Sequence, residues 1–226
     1  YDAGECIEDC VEDDCGICGG DGLSCDSSSE IDYCLSLHVG ANMKSFYGLP
    51  EDASLYNVMS DNITGIITEG GASSQVDGAW SGSIVNISPV KGYWIIANSI
   101  DSLCLVDAVP TDPDTLYSLH TGANLISFPI NGSVNISDAL PGDVEPFVTG
   151  LITEGGASSQ VNGAWSGSIT AFEKGKGYWL IASEISSDVI PPFSFNSTAL
   201  TRTKDISSYG LTYPEGSEVI QSTRQA

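Results

Sequence analysis

An all-β fold of two small tandem modules is what this sequence predicts, and three observations carry that expectation. "ITEGGASSQVDGAWSGSI" (67–84) recurs as "ITEGGASSQVNGAWSGSI" (152–169), identical at 17 of 18 positions, with Asp77 replaced by Asn162. "LSLHVGANMKSFYGLP" (35–50) matches "YSLHTGANLISFPING" (117–132) at an offset of 82, and "KGYWIIA" (91–97) matches "KGYWLIA" (176–182) at an offset of 85. Short apolar or β-branched runs between glycine-rich turns fill each repeat, the pattern of a β-sandwich or barrel.

The repeats divide the chain into four segments: an acidic, Cys-rich segment (1–32), β-module 1 (33–107), β-module 2 (108–187) and an extended tail (188–226). In module 1 the expected strands are Leu35–Val39, Met43–Tyr47, Thr64–Thr68, Ser83–Ile87 and Tyr93–Ala97. "LPEDASLYNVM" (49–59) suits one or two helical turns, with Pro50 near their start. Residues 1–32 hold eleven acidic side chains and no basic one. The tail has strand-like pieces, Phe193–Phe195, Ser208–Tyr213 and Glu218–Thr223, but no core of its own. Such a segment gains order only by docking, on its own module 2 or as a strand donated to the next subunit.

The formal charge of −23 argues against nucleic acid, whose phosphates need cationic partners, and against anionic membrane surfaces. No apolar run approaches the roughly 20 residues that span a bilayer. Seven cysteines, five of them within the first 25 residues, and five Asn-X-Ser/Thr sequons point to a secreted, extracellular or cell-surface protein. The opening at Tyr1, without Met or signal peptide, fits a processed or partly sequenced secreted chain. The glycosylation candidates are Asn62, Asn86, Asn131, Asn135 and Asn196.

Cys34 and Cys104 lie at the two ends of module 1. The repeat alignment sets Leu116 and Val189 at the same places in module 2. An apolar pair there suggests that the first and last strands lie side by side, so a Cys34–Cys104 disulfide is expected. Cys6, Cys10, Cys15, Cys18 and Cys25 form an odd set, which leaves one free, bonded to another chain or paired outside this sequence. Cys15-x-x-Cys18 has zinc-ligand spacing but no histidine beside it. Asp9, Glu12, Asp13, Asp14 and Asp21 offer hard oxygen ligands for calcium. Their spacing is not that of an EF-hand, and solvated charge is the ordinary use of such residues.

Catalytic constellations are not evident, and the expectation is a protein that is not an enzyme. His38 and His120 hold equivalent places in the two modules and read as strand positions with satisfied hydrogen bonds. Glu69 and Glu154 supply one carboxylate per module, a poor start for a two-carboxylate glycosidase. Trp80 and Trp165, each in "GAWSG", and Gln75 and Gln160 in the same block are the candidate contacts for a ligand or a neighbouring subunit. Packing onto the core is the commoner use of such indoles.

"GANLISFPI…GAWSGSI…GKGYWLIA" resembles a module found in tandem on bacterial secreted and cell-surface proteins, opened by a Gly-x-Asn-Leu-Ile-Ser strand and closed by a Gly-Tyr-Trp strand. The resemblance spans both repeats; it implies an extracellular β-module and brings no catalytic residues. "DDCGICGGDGLSC" (13–25) is similar to the short Cys-Gly-Gly-Asp segments of bacterial surface proteins and thrombospondin-motif secreted proteases, which implies a disulfide-bonded spacer.

Divergence between the repeats is uneven, since Val85–Ala97 and Thr170–Ala182 agree at only 6 of 13 positions. Recent gene conversion would explain the contrast. So would a role common to both copies, whether a special turn, a common ligand, or equivalent surfaces in a repeating assembly. The last fits the coreless tail best. It leads to an extracellular structural protein, the subunit of a surface filament or pilus-like fibre that polymerises with copies of itself through donated terminal segments. The alternative is a carbohydrate-binding or adhesive stalk fragment of a larger bacterial surface protein.

Overall fold

The computed structural model describes residues 30–183 and 190–196. Its architecture is all-β, with two modules, each holding its own apolar core. The acidic segment, with Cys6, Cys10, Cys15, Cys18, Cys25, Asp9, Asp13, Asp14 and Asp21, lies outside the described residues, as does the tail beyond Asn196.

Module 1 contains β1 (Ile31–Leu37), β2 (Gly40–Lys44), β3 (Gly48–Leu49), α1 (Leu55–Val58), β4 (Ile63–Thr68), β5 (Gly71–Val76), β6 (Ala79–Gly82), β7 (Tyr93–Ala97) and β8 (Asp101–Pro110). A five-stranded antiparallel sheet runs β2-β7-β4-β5-β6, and β1-β8-β3 forms a second sheet. Leu35, Phe46, Ile63, Ile66, Tyr93, Ile95, Leu103 and Leu105 are buried in this module's core. In β7 the burial alternates strictly: Tyr93, Ile95 and Ala97 point inward, while Trp94 and Ile96 face outward half-buried.

Module 2 contains β9 (Gly122–Ile126), β10 (Ser133–Asn135), α2 (Ile136–Ala139), a 3-10 turn (Glu145–Phe147), β11 (Val148–Thr153), β12 (Gly156–Val161), β13 (Ala164–Gly167), β14 (Ala171–Glu173) and β15 (Tyr178–Ala182). Its five-stranded sheet, β9-β15-β11-β12-β13, repeats that of module 1 strand for strand. β10 and β14 pair separately.

The duplicated block supplies the last two residues of β4 or β11 and then a hairpin, β5–β6 or β12–β13, which its polar sequence did not announce as strands. Its two-residue turns, Asp77-Gly78 and Asn162-Gly163, have positive φ at both positions (50° and 77°; 51° and 78°). Such turns match the twist of a hairpin and accept Asn or Asp followed by Gly. The single difference within the block thus exchanges two residues that both suit the left-handed backbone. Ser73 Oγ accepts from Ile84 N–H at 2.9 Å and donates to the Ile84 carbonyl at 2.7 Å. Ser158 makes the same two bonds with Ile169. A Cβ on Gly82 or Gly167 would lie 2.3 Å from the carbonyl oxygen of Ala72 or Ala157. The matching serines and glycines therefore hold one hairpin in one shape, twice.

The modules close differently. In module 1, Cys34 faces Cys104 across the β1–β8 ladder and the two form the expected disulfide. In module 2, Tyr117 pairs with Phe193, and that register places Ser194 across from Leu116 in place of Val189. The disulfide is thus correct although the alignment that suggested it ran out of register at the closing strand. Residues 190–196, expected within the extended tail, belong to module 2. Ile190, Phe193 and Phe195 are buried in its core, and Asn196 N–H donates to the Ala139 carbonyl. β8 likewise carries module 1 past residue 107, pairing with β3 as far as Pro110. Ser83–Ile87, expected as a strand, is irregular apart from a bridge between Asn86 and Ser54; its counterpart forms β14.

Candidate functional site

The sister module covers an edge of each five-stranded sheet. β2 is an edge strand, and residues 175–177 of module 2 run along it: Ser45 N–H donates to the Gly175 carbonyl at 3.1 Å, and Lys44 and Lys176 form an antiparallel bridge. β9 is the equivalent edge, covered by residues 90–92 of module 1. There Gly92 N–H donates to Leu125 O at 3.0 Å, Ser127 N–H donates to Val90 O at 3.2 Å, and Lys91 bridges Ile126. Each module thus satisfies backbone groups that the other would leave open for aggregation.

Close approach at this seam requires glycine at one position in each module. A Cβ on Gly92 would lie 2.7 Å from Ile126 O, and one on Gly177 would lie 2.7 Å from Lys44 O. Thr68 and Thr153 fix these crossing segments by donating from Oγ1 to the carbonyls of Gly92 (2.7 Å) and Gly177 (2.8 Å). Met43 and Leu125, 2% and 3% exposed, are buried beneath Gly177 and Gly92.

Ion pairs complete the seam. Glu154 pairs with His38 Nε2 through one oxygen and accepts Met43 N–H through the other at 3.0 Å. Glu69 does the same with His120 Nε2 and Leu125 N–H, the latter at 3.1 Å. Nδ1 of each histidine faces a backbone carbonyl, Val39 or Thr121, at 2.8 Å. Both ring nitrogens therefore meet groups that only accept, and the arrangement favours the imidazolium. The Glu154 bond and then the Val39 carbonyl raise the His38 pKa; for His120 the Thr121 carbonyl comes first and Glu69 second. Burial pushes the Glu154 carboxyl up, but the His38 and Met43 bonds and the nearby His38 and Lys44 charges outweigh it and leave it lowered. Lys44 is lowered by burial, partly offset by Glu154, with Lys176 adding to the depression.

The histidines sit on the connections leading into β2 and β9, where strand positions were expected. Buried Asn42 and Asn124 hold those connections, each accepting its histidine's N–H at 2.8 Å and donating back to the same residue's carbonyl. Sequence reading missed this role. Its trace was the shared His-x-Gly-Ala-Asn pattern and the glutamate recurring in each block.

Cavities flank the seam. One of about 300 Å³ is lined by Glu69, Ser83, Asn86, Lys91 and Tyr93, and a neighbour of about 350 Å³ by Glu69, Lys91, Tyr117 and His120. The module 2 equivalent of the first is about 150 Å³, with Lys176 paired to Glu173 at 2.9 Å.

The other expected contact residues lie away from the seam. Trp80 and Trp165 are half-buried against their own cores. Trp165 Nε1 donates to Glu145 Oε1 at 2.8 Å, and Gln160 donates to the Glu145 carbonyl at 3.2 Å. Gln75 bridges Ile63 O and Trp80 Nε1 when its amide is oriented to satisfy both. Among the sequons, Asn62 donates to Asp101, Asn131 accepts from Lys174, and Asn135 donates to Asp138. Asn86 is exposed, and Asn196 is half-buried against module 2. Among the described residues no three His, Cys, Asp or Glu side chains converge on a metal-sized site, and no helix is long and apolar enough to cross a membrane. Comparison with protein-family models, with curated proteins and with solved structures finds no match for this chain.

Proposed function

We propose that this chain is an extracellular structural protein, the subunit of a surface filament or pilus-like fibre. The observation that carries the reading is the reciprocal edge closure, in which duplicated residues serve contact between β-modules. The Cys34–Cys104 disulfide supports an oxidising compartment. The opposite sheet edges, β6 and β13, pair with no further strand among the described residues. An extended segment adds readily to such an edge. Residues 197–226 would span about 100 Å if fully extended, enough to reach a neighbouring subunit.

Electron microscopy of the secreted protein, whole and lacking residues 197–226, tests this. Cutting at 197 spares Phe193 and Phe195, which module 2 needs. Fibres from the whole chain and single particles from the truncated one are expected. Single particles from both would overturn the fibre; fibres from both would overturn donation by the tail.

A second reading, glycan binding, is favoured by one observation. Trp94 and Trp179 lie half-exposed on the outer sheet faces beside Ile67 and Ile152, which are 46% and 42% exposed. Alanine at both tryptophans should then abolish binding on a glycan array.

A further inference from the structure

The seam is self-complementary in plan. Each module presents an edge strand with its histidine and also the glutamate and glycine segment that cover such an edge. Three of the differences between the copies bear on the pairing. Lys44 in module 1 corresponds to Ile126 in module 2, Val90 to Gly175, and Leu35 to Tyr117.

These differences sort the pairings. In the observed seam Gly175 meets Leu35 so closely that a Cβ would lie 2.6 Å from Leu35 Cδ2, while Val90 packs against the module 2 core. Two copies of module 1 would put Val90 against Leu35 twice, and Lys44 beside Lys91 twice. Two copies of module 2 would leave Gly175 at both places that Val90 fills. Module 1 with module 2 is the matched pair, and nothing in the match requires both to belong to one chain. The connection between them, residues 111–116, is a short polar turn closed by Thr115 N–H to Asp112 O and Asp114 N–H to Asp112 Oδ1. At its start Thr111 is tied to module 1 by its N–H to Tyr47 O at 2.9 Å, so the exchangeable stretch begins after it.

We propose that the seam also forms between chains, with module 1 of one copy seated on module 2 of a second. Exchange of identical elements is a low-cost route to association, and a pairing of unlike faces continues head to tail unless its rotation closes a ring. The proposal rests on the structural-subunit reading and names a contact by which subunits join. It adds no new surface, because the cis seam opens to supply the trans one.

The test uses the full chain carrying Lys44→Cys and Lys176→Cys. The two positions face each other in an antiparallel bridge, where Cα separations of about 4.5–5.5 Å suit a disulfide. Chains labelled with ¹⁵N and unlabelled chains are unfolded together under reductant, refolded and oxidised. The peptide joining positions 44 and 176 is then weighed, and particle size is measured. Mixed-isotope peptide from particles larger than one chain is the expected result. Particles of that size with only same-isotope linkage would overturn exchange and leave the fibre to other contacts. Single chains with same-isotope linkage would overturn both exchange and the fibre. Absence of any 44–176 linkage would overturn the seam itself, and the proposal with it.

Discussion

Module 1 and module 2 share a sheet but not a lid. In module 1 the closing strand β8 is ten residues long, pairs with β1 and is tied to it by a disulfide. In module 2 the described part of the corresponding segment makes one bridge and contributes Phe193 and Phe195 to a ring cluster with Tyr117, Phe128, Phe172 and Tyr178. One copy thus closes with a covalent link beside a stacked Tyr33–Tyr47 pair, and the other with a larger cluster of aromatic faces and edges and no disulfide among its described residues. The lesson is that lids can diverge because many packings close a core. The hairpin is held throughout, and the seam keeps glycine at 92 and 177 while its other positions vary, because backbone approaches backbone at those points.

The largest test of this contrast is Phe195→Ala. Phe195 is 1% exposed and touches four other rings, so truncation should cost about 3–5 kcal/mol. Hydrogen exchange should rise throughout module 2 while β4 and β7 of module 1 stay protected. Replacing Cys34 and Cys104 together by serine should do the reverse, weakening module 1 by about 2–4 kcal/mol in denaturant titrations.

Seam variants come next, and these should affect both modules. Gly177→Ala drives a methyl group toward Lys44 O, a fault of about 1–3 kcal/mol, and should expose the Met43 amide across the seam. The pH response has two limbs. His38 and His120 have raised folded pKa values, so their contribution is full below about pH 6.5 and is lost as pH rises through those values. Glu154 has a lowered one, so its share holds above the usual carboxylate range and is lost as pH falls through the folded value. NMR titration of the histidine rings together with the Met43 and Leu125 amides should show seam contacts strongest in mildly acidic solution. The smallest effect belongs to Asp77→Asn, below about 0.5 kcal/mol by thermal melting. Asp77→Ala should cost about 1 kcal/mol at the same left-handed position.

Most of the sheet framework was legible where apolar alternation is strong: β1, β2, β4 and β7 fall within a few residues of their expected places. β5, β6 and their counterparts were not, because both faces of that hairpin are polar and its strand character comes from the turn and from serine hydrogen bonds. The closing strand of module 2 was misplaced because Phe193 stands 90 residues after Leu103, whereas the preceding strand keeps an offset of 85. His38, Glu69, His120 and Glu154 were all visible as duplicated residues. Their pairing was not, since no single repeat contains both partners of a contact made between repeats.

Amide hydrogen exchange at Met43 and Leu125, in the wild type and in Glu154→Ala and Glu69→Ala, tests the reciprocal seam most directly. Removing Glu154 from module 2 should accelerate Met43 in module 1 more than Leu125, and removing Glu69 from module 1 should reverse that order. Unchanged protection of both amides in both variants would contradict the seam and with it the explanation offered for the duplicated residues.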